Sequence, residues 1–155
     1  MPALGGSAAA AVATAGVVVA LDQATKQLAN SNVARGESVK VFPGLEISNT
    51  RNTGVAFGVF EGGGLIVGVL IGVALVLLIG YFLRHSEVPL LWLPVGMLLG
   101  GALGNLADRA RDGAVIDFID PVAWPAFNLA DSCIVVGVFL LLWVVERSAR
   151  RVTTS

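Results

Sequence analysis

The sequence predicts an all-α membrane protein with four transmembrane helices, on three observations. Of its 155 residues, 55% are hydrophobic and only 14% are charged, whereas soluble domains carry roughly a quarter charged residues. Four stretches of about 20 residues are almost free of charge, the length that crosses roughly 30 Å of hydrocarbon. The charges collect between these stretches rather than along them.

Taken in order, helix 1 is expected over 2–28: the chain is uncharged and rich in Ala and Val from Pro2 to Leu21, then meets Asp22 and Lys26. No basic segment precedes this run, so it reads as a retained helix rather than a cleaved leader. Helix 2 is expected over 62–83, rich in Leu, Val and Ile, and helix 3 over 88–107. Pro89 and Pro94 then fall in the opening turns of helix 3, where proline disturbs a helix least. Helix 4 is expected over 128–146, interrupted only by Asp131 near its start. The chain reads as one integral membrane domain.

Two polar connections join these spans. In the first, 29–61, Val39, Val41, Leu45 and Ile47 alternate with polar or turn residues around Pro43-Gly44, the period of short strands. The second, 108–127, reads as a loop with Trp124 as an interfacial anchor. Between helices 2 and 3, 84–87 is a tight link.

Composition excludes several functions. A net charge of −1 without a basic stripe gives no nucleic-acid surface. One cysteine, Cys133, permits neither an internal disulfide nor a multi-cysteine metal site; it reads as a packing thiol. The one histidine, His85, falls at the opposite membrane face from the polar residues and reads as a solvated loop residue. Ser-His-Asp, Cys-His and HExxH chemistry are thereby excluded. Carboxylates, asparagines, one lysine and one arginine remain.

Five of the eleven acidic residues (Asp108, Asp112, Asp117, Asp120 and Asp131) lie between Gly100 and Gly137. Four spans would place Asp22, Lys26, Asn52, Asn105, Asp108, Arg109, Asp117, Asn128 and Asp131 at one membrane surface. Asn105, Asp108 and Arg109 share a helix face, as do Asn128 and Asp131, and Asp22 and Lys26. Two carboxylates that share a site do not both ionise easily, so one keeps a proton while the other acts as base. Such a pair can activate water against a peptide carbonyl and protonate the leaving amine. Asp112 and Asp120 read as surface charges. Asp22/Lys26 is open between a site pair and a helix-end ion pair, and Asp108/Arg109 between a site and a structural pair. Gly100, Gly101 and Gly104 read as close helix packing. Two rival readings are a Ser-Lys protease using Lys26 with Ser48 or Ser132, and a cation carrier using Asp117 and Asp131.

Five segments, DQATK (22–26), RNTGVAFG (51–58), GGALGNLADR (100–109), GAVIDF (113–118) and FNLAD (127–131), occur in order at the ends of the four spans. Together they resemble the lipoprotein signal peptidases, the type II signal peptidases of bacteria, over nearly the whole chain. The resemblance implies an aspartyl endopeptidase of the cytoplasmic membrane, without cofactor or metal. It would act on diacylglyceryl-modified prolipoproteins, cutting just before the lipidated cysteine. The implied dyad is Asp117 and Asp131, supported by Asp22, Lys26, Asn52, Gly54, Asn105, Asp108, Arg109, Asn128 and Ala130. The resemblance also implies an extracytoplasmic β-cradle and a short interfacial helix, the latter over PVAWPAF, although the 117–131 connection is short for the family. Arg147, Arg150 and Arg151 favour cytoplasmic termini and an extracytoplasmic site. The expected partners are prolipoproteins and membrane lipid, and a monomer suffices.

Overall fold

A computed structural model of the chain describes residues 3–54 and 63–153. The elements follow as α1 (Ala3–Asn32), β1 (Ser38–Phe42), β2 (Leu45–Asn52), α2 (Gly63–Arg84), α3 (Trp92–Asp112), β3 (Val115–Pro121) and α4 (Leu129–Thr153).

The helices pack through small residues. On α1, Ala11, Ala15, Val18, Asp22, Lys26 and Ala29 are buried, a stripe with helical spacing, while Val12, Val17, Leu21 and Leu28 point outward. Glycines of α3 lie against this stripe. A Cβ on Gly96 would stand 2.6 Å from the Thr14 Cβ, one on Gly100 2.7 Å from the Val18 Cβ, and one on Gly104 2.6 Å from Asp22 Oδ2. Both sets of numbers rise together, so α1 and α3 run parallel. Gly101 meets the Ala130 carbonyl and Gly137 meets Leu98, so α4 runs antiparallel to α3. Backbones come this close only where side chains are absent. At the end where α1 begins, Ala11, Phe82, Leu91, Val95 and Val144 form the apolar core.

Among the described residues, two helical segments are long and apolar enough by themselves to cross a membrane, Gly5–Asn32 and Leu129–Arg150; Gly68–Arg84 is a shorter apolar helix. The expected helix bounds shift. α1 continues to Asn32, beyond the expected 28, and α4 to Thr153. The expected helix 3 starts late, at Trp92, because Pro89 lacks an N–H and Leu90 adopts a left-handed φ of 66°. It then continues to Asp112, so Asp108 and Arg109 are helical rather than in the loop. Gly113, at φ 70°, closes it by donating to the Arg109 carbonyl. The expected start of helix 2 at Gly62 and the segment Val55–Gly58 lie outside the described residues.

The alternation around Pro43-Gly44 forms the β1–β2 hairpin, and β3 adds to it in the antiparallel order β1-β2-β3. Lys40 faces Glu46, Thr50 faces Asp117 and Asn52 faces Val115; a register shift between Ile47 and Thr50 separates the two halves of the β2–β3 ladder. The strand β3 stands where the sequence predicts a loop, because Asp117 interrupts the apolar run VIDFI and masks its β character. The expected short interfacial helix over PVAWPAF does not form. The Trp124 N–H closes a turn on the Pro121 carbonyl, and Phe127 returns to pair with Ile119. Pro125 disfavours helical backbone at Trp124, and the fold-back satisfies the Phe127 backbone instead.

Candidate active site

Two helices carry a buried ionic centre. Asp22 and Lys26 lie one turn apart on α1, and Asp108 lies opposite on α3; all three are at most 1% exposed. The Lys26 ammonium contacts Asp22 Oδ2 at 2.8 Å and Asp108 Oδ2 at 2.8 Å, and donates to Asn105 Oδ1 at 2.8 Å. An ammonium has three donors, and all three are engaged.

Each carboxylate reaches out from this centre to another element. Asp22 Oδ1 accepts from the Ala130 N–H at 2.9 Å, holding the first turn of α4. Asp108 Oδ2 accepts from the Ile116 N–H at 3.3 Å, fixing β3 one residue before Asp117. The absence of a Cβ on Gly104 gives Asp22 its space.

A second layer holds Asp117 and Asp131. The Asn52 amide donates to Asp117 Oδ2 at 2.9 Å and the Asn128 amide to Asp117 Oδ1 at 2.7 Å. Asn105 Nδ2 donates to Asp131 Oδ1 at 2.7 Å, and the Asn128 N–H to Asp131 Oδ2 at 3.3 Å. In return Asn128 Oδ1 accepts from the Asp131 N–H at 2.9 Å. Asn128 is therefore the N-cap of α4, in a reciprocal box with the residue three positions on. Asn128 thus ties both carboxylates to one residue. Asn52 is held in turn by the Gly54 N–H, donating at 2.8 Å to its Oδ1, with Gly54 at φ 77°.

Asp117 is 2% exposed on β3. Burial pushes its carboxyl above the ordinary carboxylate range; the Asn52 amide draws it back, the nearby Asp131 charge raises it again, and Asn128 and Lys26 oppose. Burial prevails, so the carboxyl holds its proton to higher pH than an ordinary one does.

The structure thus joins Asp22, Lys26, Asn52, Asn105, Asp108, Asp117, Asn128, Ala130 and Asp131 in one hydrogen-bonded and ionic network, with Gly54 at its edge. Arg109 is placed differently. It does not pair with Asp108: a Cβ on Gly54 would lie 3.5 Å from its terminal nitrogen, and its Nε is buried without a partner among the described residues. Arg111 is the arginine on Asp108, at 3.1 Å. Its i,i+3 spacing was a usable signal.

Gln23 was also missed. It donates to Asp108 Oδ1 at 2.9 Å and to the Gly104 carbonyl at 3.2 Å, and accepts from Arg111 at 3.2 Å. Only the packing of α1 on α3 makes that role visible. The Ser-Lys reading finds no geometry here: Ser48 donates to the Asp117 carbonyl and Ser132 to the Asn128 carbonyl, while Lys26 is saturated. His85 stacks on Tyr81, with ring centroids 4.3 Å apart.

A family profile described as "Signal peptidase (SPase) II" matches residues 14–146. The chain belongs to the signal peptidase II family. A relative named lipoprotein signal peptidase from Pelotomaculum thermopropionicum is 43% identical over 129 residues, covering 82% of this chain and 85% of that one. One of the same name from Moorella thermoacetica is 42% identical, covering 82% and 86%. A solved structure described as a bacterial membrane enzyme determined in meso superposes with a TM-score of 0.80 at 32% identity, covering 87% of this chain and 91% of that one. Membership of the signal peptidase II family makes the chain a peptidase, and its structural neighbours are membrane enzymes.

Proposed function

We propose that the chain is a membrane aspartyl endopeptidase that removes signal peptides from diacylglyceryl-modified prolipoproteins, cutting just before the lipidated cysteine. The observation that carries this reading is the pair Asp117 and Asp131, bridged by Asn128 at the start of an apolar helix. In this reading one carboxyl of the pair keeps a proton and supplies it, and the other takes one from the attacking water. The proton then passes to the leaving amine. A lipid-anchored substrate presents its scissile bond near the membrane surface, the depth at which a site at the start of such a helix would lie.

Four spans fit the helix directions. α1 and α3 run parallel, which requires α2 to return between them. The site would then lie on the extracytoplasmic face of the cytoplasmic membrane, with both termini inside, in a chain that works as a monomer without cofactor. The hairpin and β3 would form the cradle over the substrate, and Arg109 with Gly54 would line its edge.

Purified protein is incubated with a prolipoprotein, with and without prior diacylglyceryl modification, and the mobility shift is read. The expected result is cleavage confined to the lipidated form and lost in both Asp117→Asn and Asp131→Asn. Substantial cleavage by either folded variant would sink the dyad.

A further inference from the structure

We infer that the end of α4 opposite the aspartates carries a binding site for the headgroup of an anionic phospholipid. A cavity of about 140 Å³ opens there between the α2–α3 link and α4, walled by Val88, Leu90 and Val144 and rimmed by Trp143, Arg147 and Ser148. The wall is shaped by the left-handed turn at Leu90 (φ 66°), which leaves the Leu90 side chain half-exposed while Leu91 is fully buried.

The cation is held for a ligand of opposite charge. The Arg147 guanidinium lies 5.2 Å from the Trp143 ring centroid. Stacking occupies a face of a guanidinium and leaves its edge, where all the N–H donors point, open to a phosphate. No carboxylate of the described residues pairs with Arg147: Glu146 is taken by Arg150. Arg84, Arg147, Arg150 and Arg151 outnumber Glu87 and Glu146 at this end, which favours a phosphodiester without a compensating ammonium.

The position selects a lipid as the source of that phosphate. Asp131 and Arg147 are sixteen residues apart on one helix, about 24 Å along its axis at 1.5 Å per residue. If the aspartates work at one membrane surface, the cavity faces the other. Phe139, one turn before Trp143, and Leu142, next to it in the chain, are both more than 60% exposed, on the side where acyl chains would run. The inference rests on the membrane-spanning reading of α4 and not on the peptidase chemistry.

The test is native mass spectrometry of the detergent-solubilised full chain, given an equimolar mixture of dioleoylphosphatidylglycerol and dioleoylphosphatidylcholine. A basic residue near an anionic surface contributes about fivefold to binding. The expected result is therefore about fivefold preferential retention of phosphatidylglycerol, falling to near parity in Arg147→Gln and kept in Arg147→Lys. Equal retention of both lipids by the unmodified protein, or a preference unchanged in Arg147→Gln, overturns the site. Displacement of the bound lipid by millimolar glycerol phosphate would reassign it to a soluble phosphate. If Arg147→Gln does not fold, Trp143→Leu removes the stacking platform, and the same ratio decides. Prolipoprotein cleavage in detergent is expected unchanged in these variants, so the lipid readout fails or succeeds separately from the peptidase reading.

Discussion

Lys26 donates to Asn105 Oδ1 at 2.8 Å, and this contact fixes which way the Asn105 amide faces. An ammonium has no acceptor, so the oxygen of Asn105 must meet Lys26 and its nitrogen must meet Asp131, at 2.7 Å. A buried charge on α1 thereby orients a donor to a carboxylate on α4 through a side chain of α3. Lys26 is a positioning residue, and Asp131 is positioned through Asn105.

Lys26→Met leaves Asp22 buried without a cation and Asp108 with Arg111 alone. Breaking a buried ion pair costs about 3–5 kcal/mol, so the thermal unfolding midpoint in detergent should fall sharply and cleavage with it. A midpoint within a degree or two of the unmodified protein would show that the centre is solvated rather than dry.

Asn128 performs two tasks that one substitution can separate. Asn128→Ser keeps an N-cap oxygen for the Asp131 N–H but removes the amide that donates to Asp117. Stability should stay within about 1 kcal/mol. An ordinary hydrogen bond is worth about 0.5–1.5 kcal/mol, so kcat should fall roughly 2- to 13-fold. Asn128→Ala should lose the cap as well. Equal unfolding midpoints for the two variants would show that the cap contributes nothing.

Gly104 has no room for a methyl group: a Cβ there would stand 2.6 Å from Asp22 Oδ2. Gly104→Ala must push α1 from α3, at about 1–3 kcal/mol, and should disturb the ionic centre. Gly68→Ala and Gly72→Ala have open space and should stabilise α2 by about 0.5–1 kcal/mol. Thermal unfolding of the three variants compares them directly.

The raised Asp117 carboxyl makes a signed prediction about pH. Its folded value lies above the unfolded one, so its contribution to stability is present below the unfolded value and is lost as pH rises through the folded value. Asp117→Asn cannot ionise. Its midpoint relative to the unmodified protein should therefore rise as pH is raised from the ordinary carboxyl value of about 4. A difference that stays flat would place the carboxyl in the ordinary range, and a reversed one would place it below that range.

Membrane class, the approximate helices and the candidate residues were legible in the sequence because they depend on local properties. Hydrophobic length is additive along the chain, charges collect where apolar runs end, and an i,i+3 or i,i+4 spacing fixes a helix face without knowledge of any neighbour. The hairpin showed in its alternation and its Pro43-Gly44 turn. The resemblance rested on the same short segments, and added Gly54 and Ala130, to which no periodicity points.

Pairing and direction were decided only by the tertiary structure. Asp108 takes Arg111 and Lys26 rather than Arg109 because α1 and α3 approach through glycine, bringing the ammonium to the carboxylate. β3 forms because β2 offers it an edge, and the segment after it turns back rather than coiling because Phe127 finds a backbone partner in Ile119. Gln23 matters only once α3 lies against it. Sequence fixes which groups a chain owns and roughly where each surfaces; which groups meet depends on contacts between segments far apart in the chain, whose energies no local pattern records.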